Sequence, residues 1–321
     1  MRWLSFALLL AAATFDCSVA AAQEYPSRPI KLIVPWAPGG GIDNLARVVG
    51  EKLAENFGQS VVVENRPGAG SSIGTAFVGK AAPDGYTLIL SNTTHAINAT
   101  LYQNLPYDSI KDFAPVVLMA NAMTVLVTYP SFPANSVKDL VALAKAKPGT
   151  VDYASAGNGS IQHLAGELFK TAANIDIVHI PFKAGGTVVA DLISMRVAIY
   201  FPPVANILPM ITSAKLKPIA VTGLQRSPLL PEVPTVSESG LPGFEVTDWY
   251  GIQAPAGTSP EIVAKLNTEI NKIMNAPDMK ERLRARGYEV VGGSPEQFGQ
   301  LIQADIKKWG TIIKASGVRL D

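Results

Sequence analysis

Pro35-Trp36-Ala37-Pro38-Gly39-Gly40-Gly41-Ile42-Asp43 stands between a β-branched run, Ile30 to Val34, and a helical pattern, Asp43 to Phe57. A strand that passes through a glycine turn into a helix is the opening unit of an α/β sheet. Three glycines let the backbone come close to a ligand, and Asp43 is placed to cap the helix that follows. The free N–H groups and the dipole of a helix start favour an anion, such as a carboxylate.

The same alternation continues outward from this turn. Val61 to Glu64 precedes Ser72 to Lys80, and Tyr86 to Ser91 follows; then come Val151 to Ala154 with Ile161 to Ala173, Ile177 to Ile180 with Gly186 to Ser194, Val197 to Phe201, and Pro218 to Val221. This spacing predicts an α/β protein with two parallel-core sheets flanked by helices. The chain closes with helices over Pro260 to Asn275 and Pro295 to Ser316, around a strand at Tyr288 to Val291. Met123 to Thr128 and Phe244 to Gln253 read as crossings between two domains, one at 23–123 plus 250–321 and one at 124–249. A discontinuous domain joined to its partner by two strands is the layout of a hinged receptor that closes on its ligand.

Two further loops repeat the first motif. Ser155-Ala156-Gly157-Asn158-Gly159-Ser160 leads into the helix at Ile161, and Pro181-Phe182-Lys183-Ala184-Gly185-Gly186-Thr187 joins another strand to another helix. Loops at the carboxyl ends of parallel strands define the crevice where open α/β sheets bind ligands. Only Lys183 brings a positive side chain to these glycine-rich loops, so backbone donors are expected to hold an anion. Lys183 can pair with a ligand carboxylate or remain a solvated surface charge. A side chain at Gly40 or Gly159 is expected to block the approach.

The 321 residues carry a net charge of +1, with 48% hydrophobic and 17% charged residues. That length suits two domains at roughly 100–200 residues each, and the balanced charge argues against a nucleic-acid partner. Residues 1–22 read as a secretory signal peptide: Arg2 opens it, Leu4 to Ala13 is apolar, and Val19-Ala20-Ala21-Ala22 offers a cleavage site before Gln23. The single cysteine, Cys17, lies within it; Thr14 and Asp16 do not suit a lipid-anchoring site. The mature chain therefore has no thiol for a disulfide, a catalytic nucleophile or a metal. Val197 to Ile211 is apolar, but Pro202, Pro203 and Pro209 interrupt it, and it is too short to span a bilayer.

Several motifs resemble sites without qualifying. Gly74-Thr75-Ala76-Phe77-Val78-Gly79-Lys80 approaches a phosphate-binding loop, yet Ala81 stands where Ser or Thr must hold magnesium. Gly68-Ala69-Gly70-Ser71-Ser72-Ile73-Gly74 approaches a dinucleotide fingerprint but lacks its spacing and acidic partner, and reads as close helix-to-sheet packing. His95, His163 and His179 have no metal-site spacing. No cofactor is expected. His163, one turn after Ser160, reads as a ligand or capping contact, and His179 as a core or edge histidine.

The stretches at 35–47 (PWAPGGGIDNLAR), 61–92 (VVVENRPGAGSSIGTAFVGKAAPDGYTLILSN), 153–169 (YASAGNGSIQHLAGELF), 226–245 (RSPLLPEVPTVSESGLPGFE) and 249–258 (WYGIQAPAGT) resemble, in this combination and order, the Bug family of extracytoplasmic solute receptors. The resemblance covers essentially the whole mature chain. It implies a two-domain class II periplasmic-binding-protein fold that closes on a small mono- or dicarboxylate and serves a tripartite tricarboxylate transporter. It implies ligand contacts from Trp36, Ala37, Pro38, Gly39, Gly40 and Asp43; from Ser91, Thr94 and His95 in the Ser91–Asn98 loop; and from Ser155, Ala156, Gly157, Gly159, Ser160 and His163. Phe182, Lys183 and Ala184 join this candidate set from the third loop. Trp36 departs from the family, which more often has Phe there; the larger ring would narrow the pocket or stack on a flat ligand. A periplasmic monomer whose partners are the ligand and the transporter's membrane subunits is expected. The rival reading is a secreted hydrolase or isomerase using Ser160 and His163 in the same cleft.

Overall fold

The computed structural model describes residues 24–182 and 185–318. The expected signal peptide lies outside them, as do Lys183 and Ala184. The first half of the described chain runs β1 (Ile30–Val34), α1 (Gly41–Phe57), β2 (Val61–Asn65), α2 (Ser72–Gly79), β3 (Thr87–Asn92), α3 (Thr94–Leu101), β4 (Phe113–Met123), β5 (Val125–Thr128), α4 (Val137–Ala146), β6 (Asp152–Ser155) and α5 (Ile161–Ala173). The second half runs β7 (Val178–Pro181), α6 (Gly185–Ile193), β8 (Ile199–Tyr200), α7 (Val204–Thr212), β9 (Lys217–Val221), β10 (Thr247–Pro255), α8 (Pro260–Asn275), α9 (Pro277–Arg284), β11 (Tyr288–Val290) and α10 (Pro295–Ser316).

These strands form a six-stranded sheet, ordered β11-β4-β10-β3-β1-β2, and a five-stranded sheet, ordered β7-β6-β8-β5-β9. Each has the expected parallel core: β2, β1 and β3 in the first, and β7, β6 and β8 in the second. Strands entering from the crossings run antiparallel to these, β10 beside β3 and β5 beside β8.

Local chemistry accounts for the elements. In α1, Ile42, Leu45, Ala46, Val49 and Leu53 recur on one face and are buried against the first sheet. Gly58 at φ 62° ends the helix in the left-handed conformation that glycine adopts at least cost. Ser294 and Gln297 form a capping box at the start of α10. Gly74 belongs to the interior of α2, where an added Cβ would lie 2.6 Å from the Arg66 carbonyl and 2.9 Å from the Pro35 Cβ. Close packing of α2 on the loops that follow β1 and β2 accounts for Gly74.

Three helices escape the sequence pattern: α3, α4 and α7. The last holds Pro209 in its interior, with Pro203 as its N-cap. A proline inside a helix removes one hydrogen bond without abolishing the helix, which is why the apolar, proline-broken stretch conceals one.

The sheets meet where β4 passes through Thr124 into β5. The Thr124 and Thr222 hydroxyls lie 2.9 Å apart, and the Thr222 Oγ1 donates to the Val246 carbonyl at 2.7 Å. The Val246 N–H in turn donates to the Thr222 carbonyl. Helix α10 packs against both layers, touching α3 and β4 on one side and α5 on the other. Its Asp305 accepts from the Trp249 indole at 2.7 Å, within a core cluster that also holds Phe298, Trp309, Leu164 and Phe169.

Candidate functional site

Between the sheets lies a cavity of about 220 Å³. Four helix starts border it: Gly41 and Ile42 of α1, Thr94 of α3 with Asn92 just before it, Ser160, Ile161 and Gln162 at α5, and Pro203, Ala205 and Asn206 at α7. Trp36, Ala122, Ala156, Asp248, Tyr250, Arg286, Gly287 and Tyr288 complete the wall. First-turn N–H groups have no partner within their own helix, so each start brings unpaired donors and the positive end of a dipole to the same space.

The first loop is braced by a carboxylate. Asp43 does not cap α1 as expected, because the helix begins two residues earlier, with Gly40 at the N-cap and no side-chain cap. Asp43 instead reaches back to accept from the Gly39 N–H at 2.9 Å, from Arg47 at 3.0 and 3.1 Å, and from the Asn65 amide at 2.9 Å. Burial alone would raise its carboxyl, but the bonds from Arg47, Gly39 and Asn65 prevail and hold it below the usual carboxylate range. Asn65 also donates to the Trp36 backbone carbonyl at 3.0 Å; the Trp36 indole N–H is buried and unpartnered. Ala37, Pro38, Gly39 and Gly40 are exposed and lie outside the cavity wall. Gly40 differs from the expectation in backbone as well. It is extended, at φ −77° and ψ 172°, and an added Cβ would meet only the Ala37 carbonyl at 3.9 Å.

The second loop is braced by neutral groups. Ser160 caps α5, its hydroxyl accepting from the His163 N–H at 3.3 Å and donating to the Gly157 carbonyl at 2.7 Å. The His163 Nδ1 accepts from the Gly159 N–H at 3.1 Å, so the neutral ring carries its proton on Nε2. His163 stacks on His179 at 3.7 Å between centroids, and His179 meets the Ser155 hydroxyl at 2.7 Å. Burial, then the neighbouring His179, pushes the His163 imidazole down to about 3; burial pushes His179 down to about 4. Gly157 and Gly159 are left-handed, at φ 127° and 76°. Their N–H groups already bond to Ser155 and His163, so the donors this loop offers the cavity come from Ala156, Ile161 and Gln162.

Of the expected contacts, Trp36, Thr94, Ala156 and Ser160 come together in the cavity wall. Ser91, His95, Ser155, Gly157, Gly159, His163 and Phe182 do not. Ser91 is buried between the Gly251 carbonyl and the Gln253 amide. His95 points into the core, packed on Tyr107 and Phe113 with its Nε2 on the Ser109 carbonyl. Burial pushes that ring down to about 4, the Ser109 carbonyl opposing. Phe182 packs in the core cluster of the second sheet.

The residues missed by sequence reading sit where the crossing and the last strand meet the cavity. Asp248 accepts from the Asn92 amide, the Thr93 N–H and the Tyr250 hydroxyl, the last at 2.7 Å. Its burial pushes the carboxyl up, against those hydrogen bonds. Tyr250 packs edge-on against Tyr288 at 5.3 Å. The aromatic crossing segment was the one signal available for them. The sequence from Lys280 to Arg286 alternates in sign and reads as a solvated helix face, which hides Arg286.

BugT of Bordetella pertussis is 38% identical over 301 residues, covering 93% of this chain and 92% of that protein. A protein of R. palustris solved with adipate superposes with a TM-score of 0.82 at 35% identity, over 91% of this chain and 98% of that one. MatC from Rhodopseudomonas palustris, solved with bound malate, superposes at 0.79 and 31% identity, over 90% of this chain and all of that one (100%). Residues 45–318 match the tripartite tricarboxylate transporter family receptor, and with relatives this similar along nearly its whole length the chain belongs to that family of periplasmic solute receptors.

Proposed function

We propose that this protein captures a small carboxylic acid in the cavity between its sheets and passes it unchanged to the membrane subunits of a tripartite tricarboxylate-type transporter. The observation that carries this reading is the meeting of four helix starts, α1, α3, α5 and α7, around one cavity. Preformed N–H groups and dipole ends favour an anion and lose little freedom when it arrives. The adipate and malate in two family structures support the same ligand class. The first contacts fall to the backbone of Gly41, Ile42, Ile161 and Gln162 and to the Thr94 and Ser160 side chains, with Trp36, Tyr250 and Tyr288 as apolar walls.

Binding without turnover is supported by the state of Ser160 and His163. The serine proton is engaged by the Gly157 carbonyl and the histidine Nδ1 by the Gly159 N–H, so they do not form a nucleophile–base pair. The mature receptor begins near Gln23 after loss of residues 1–22 and acts as a monomer. Closure divides it at 23–123 plus 250–321 against 124–249, turning about the Thr124–Thr222 junction.

A panel of thermal shifts tests the ligand class. A carboxylate at about 100 times its dissociation constant adds about 2.7 kcal/mol, which raises Tm by several degrees, whereas the matching amides and nucleotides leave it unchanged. Equal shifts with acids and amides, or none with adipate, malate and an aromatic acid, contradict the reading.

A further inference from the structure

We propose that Arg286 lets this receptor distinguish a doubly charged acid from a singly charged one. The inference rests on the carboxylate reading above and names the side chain that would meet the ligand's second charge. Among the described residues of the cavity wall, Arg286 is the only lysine or arginine. Arg28, Arg47, Arg66, Arg196 and Arg226 each pair with a carboxylate. Arg286 has no ion pair and no side-chain hydrogen bond among the described residues. Arg282 and Arg284 are unpaired too, but they take no part in the wall.

The turn that carries Arg286 is fixed on both sides of the cleft. Gly287, at φ 74°, lies so close to the start of α7 that an added Cβ would fall 2.8 Å from the Ala205 Cβ. The Tyr288 hydroxyl lies against the start of α1, where a Cβ on Gly41 would be 2.6 Å away. Arg286 and Tyr288 line the same wall, two residues apart; burial and Asp248 push the Tyr288 hydroxyl up, and Arg286 opposes them. The charge therefore belongs to the cavity rim, joined to the helix starts that favour the first carboxylate.

The carboxylate within the wall, Asp248, is enclosed by Asn92, Thr93 and Tyr250, which leaves the rim guanidinium without an internal partner. A diacid with one end at the helix starts can extend its other end to that rim. There the guanidinium offers paired N–H donors in the geometry a carboxylate accepts. A monoacid of the same length brings only methyl hydrogens to the same place. Because Arg286 is exposed, water and salt weaken the contact, and the discrimination should be modest.

The test is calorimetric titration with two pairs of probes of equal chain length, adipate with hexanoate and succinate with butyrate, on the wild type, Arg286→Gln and Arg286→Lys. Circular dichroism confirms that each variant is folded. Arg286→Gln should weaken the tighter-binding diacid by about three- to fivefold and leave the matching monoacid within about 1.5-fold. Arg286→Lys should recover part of the loss, and added salt should weaken the diacid more in the wild type and in Arg286→Lys than in Arg286→Gln. Equal loss for diacid and monoacid, or loss for neither, overturns the role of Arg286 while the carboxylate reading stands. A wild type that binds none of the four acids, nor malate nor an aromatic acid, overturns both.

Discussion

Residues 35–43 and 155–163 each carry the chain from a buried parallel strand into a helix whose first turn borders the cavity, and in each a side chain from that first turn reaches back to a glycine N–H. In the first loop it is the Asp43 carboxylate, four residues after Gly39, supported by Arg47 and Asn65. In the second it is the His163 imidazole, four residues after Gly159, stacked on His179. The same backbone problem is thus solved once with charge and once without it. The braced glycines, Gly39 and Gly159, are both left-handed; the loops differ at the neighbouring Gly40 and Gly157 and in response to acid, and both differences are measurable.

The largest expected effect comes from the glycines. Gly157→Ala forces a Cβ into a backbone at φ 127°, 3.3 Å from the Phe182 carbonyl, and should cost about 2–3 kcal/mol. Gly40→Ala, at an extended N-cap with open space, should change stability by no more than about 0.5 kcal/mol. Urea unfolding of the two variants compares them directly. A costly Gly40→Ala would show that the first loop depends on its glycines as the second does, and the contrast would fall.

A smaller effect separates the braces by pH. Folded His163 and His179 stay neutral down to about 3 and about 4, whereas the same side chains in the unfolded chain take up protons near pH 6.5. The unfolded state therefore binds more protons between those limits, and stability falls as pH is lowered through that window. Asp43 behaves otherwise. Its folded carboxyl lies below 3.8, so its contribution persists until the pH falls under the ordinary carboxylate range. His163→Asn should accordingly lessen the loss of stability between pH 6.5 and 4.5 by about 1–2 kcal/mol, and Asp43→Asn should leave that slope unchanged. His95 and the raised carboxyls of Asp248 and Asp305 titrate alike in wild type and variants, so they cancel in the comparison. Unfolding curves at the two pH values decide it; an altered slope in Asp43→Asn and none in His163→Asn would reverse the assignment.

Most of the fold was legible because its elements follow local rules. The β-branched runs and the three-to-four-residue apolar spacing placed β1, α1, α5, α8 and α10 to within a residue or two, and the stretches read as crossings, Met123 to Thr128 and Phe244 to Gln253, do lead between the two sheets. The site was legible only in part. A helix start can be read from glycine and serine, as at Ala156 and Ser160, whereas Thr94 enters only through the family resemblance. Which N–H groups remain free cannot be read, because that depends on partners such as His163 and Asp43 reaching back. Gly40 shows the limit: three consecutive glycines look alike in sequence, yet Gly39 takes a left-handed backbone and Gly40 does not. Asp248, Tyr250, Arg286 and Tyr288 meet the cavity through the pairing of β10 and β11 with β4, a long-range register that no local pattern records. The stacking of His163 on His179 depends equally on parallel strand pairing, which brings His179 beside Tyr153.

The central claim is that the ligand's carboxylate is held where the helix starts converge, chiefly by backbone N–H groups. A crystal structure of the protein with the acid that gives the largest thermal shift tests this most directly. The account predicts carboxylate oxygens within about 3 Å of N–H groups from Gly41 or Ile42 on one side and from Ile161 or Gln162 on the other, with the loop bonds from Gly39 to Asp43 and from Gly159 to His163 intact. A carboxylate bound outside this cavity, or held in it by side-chain cations with those four N–H groups facing water, would contradict it.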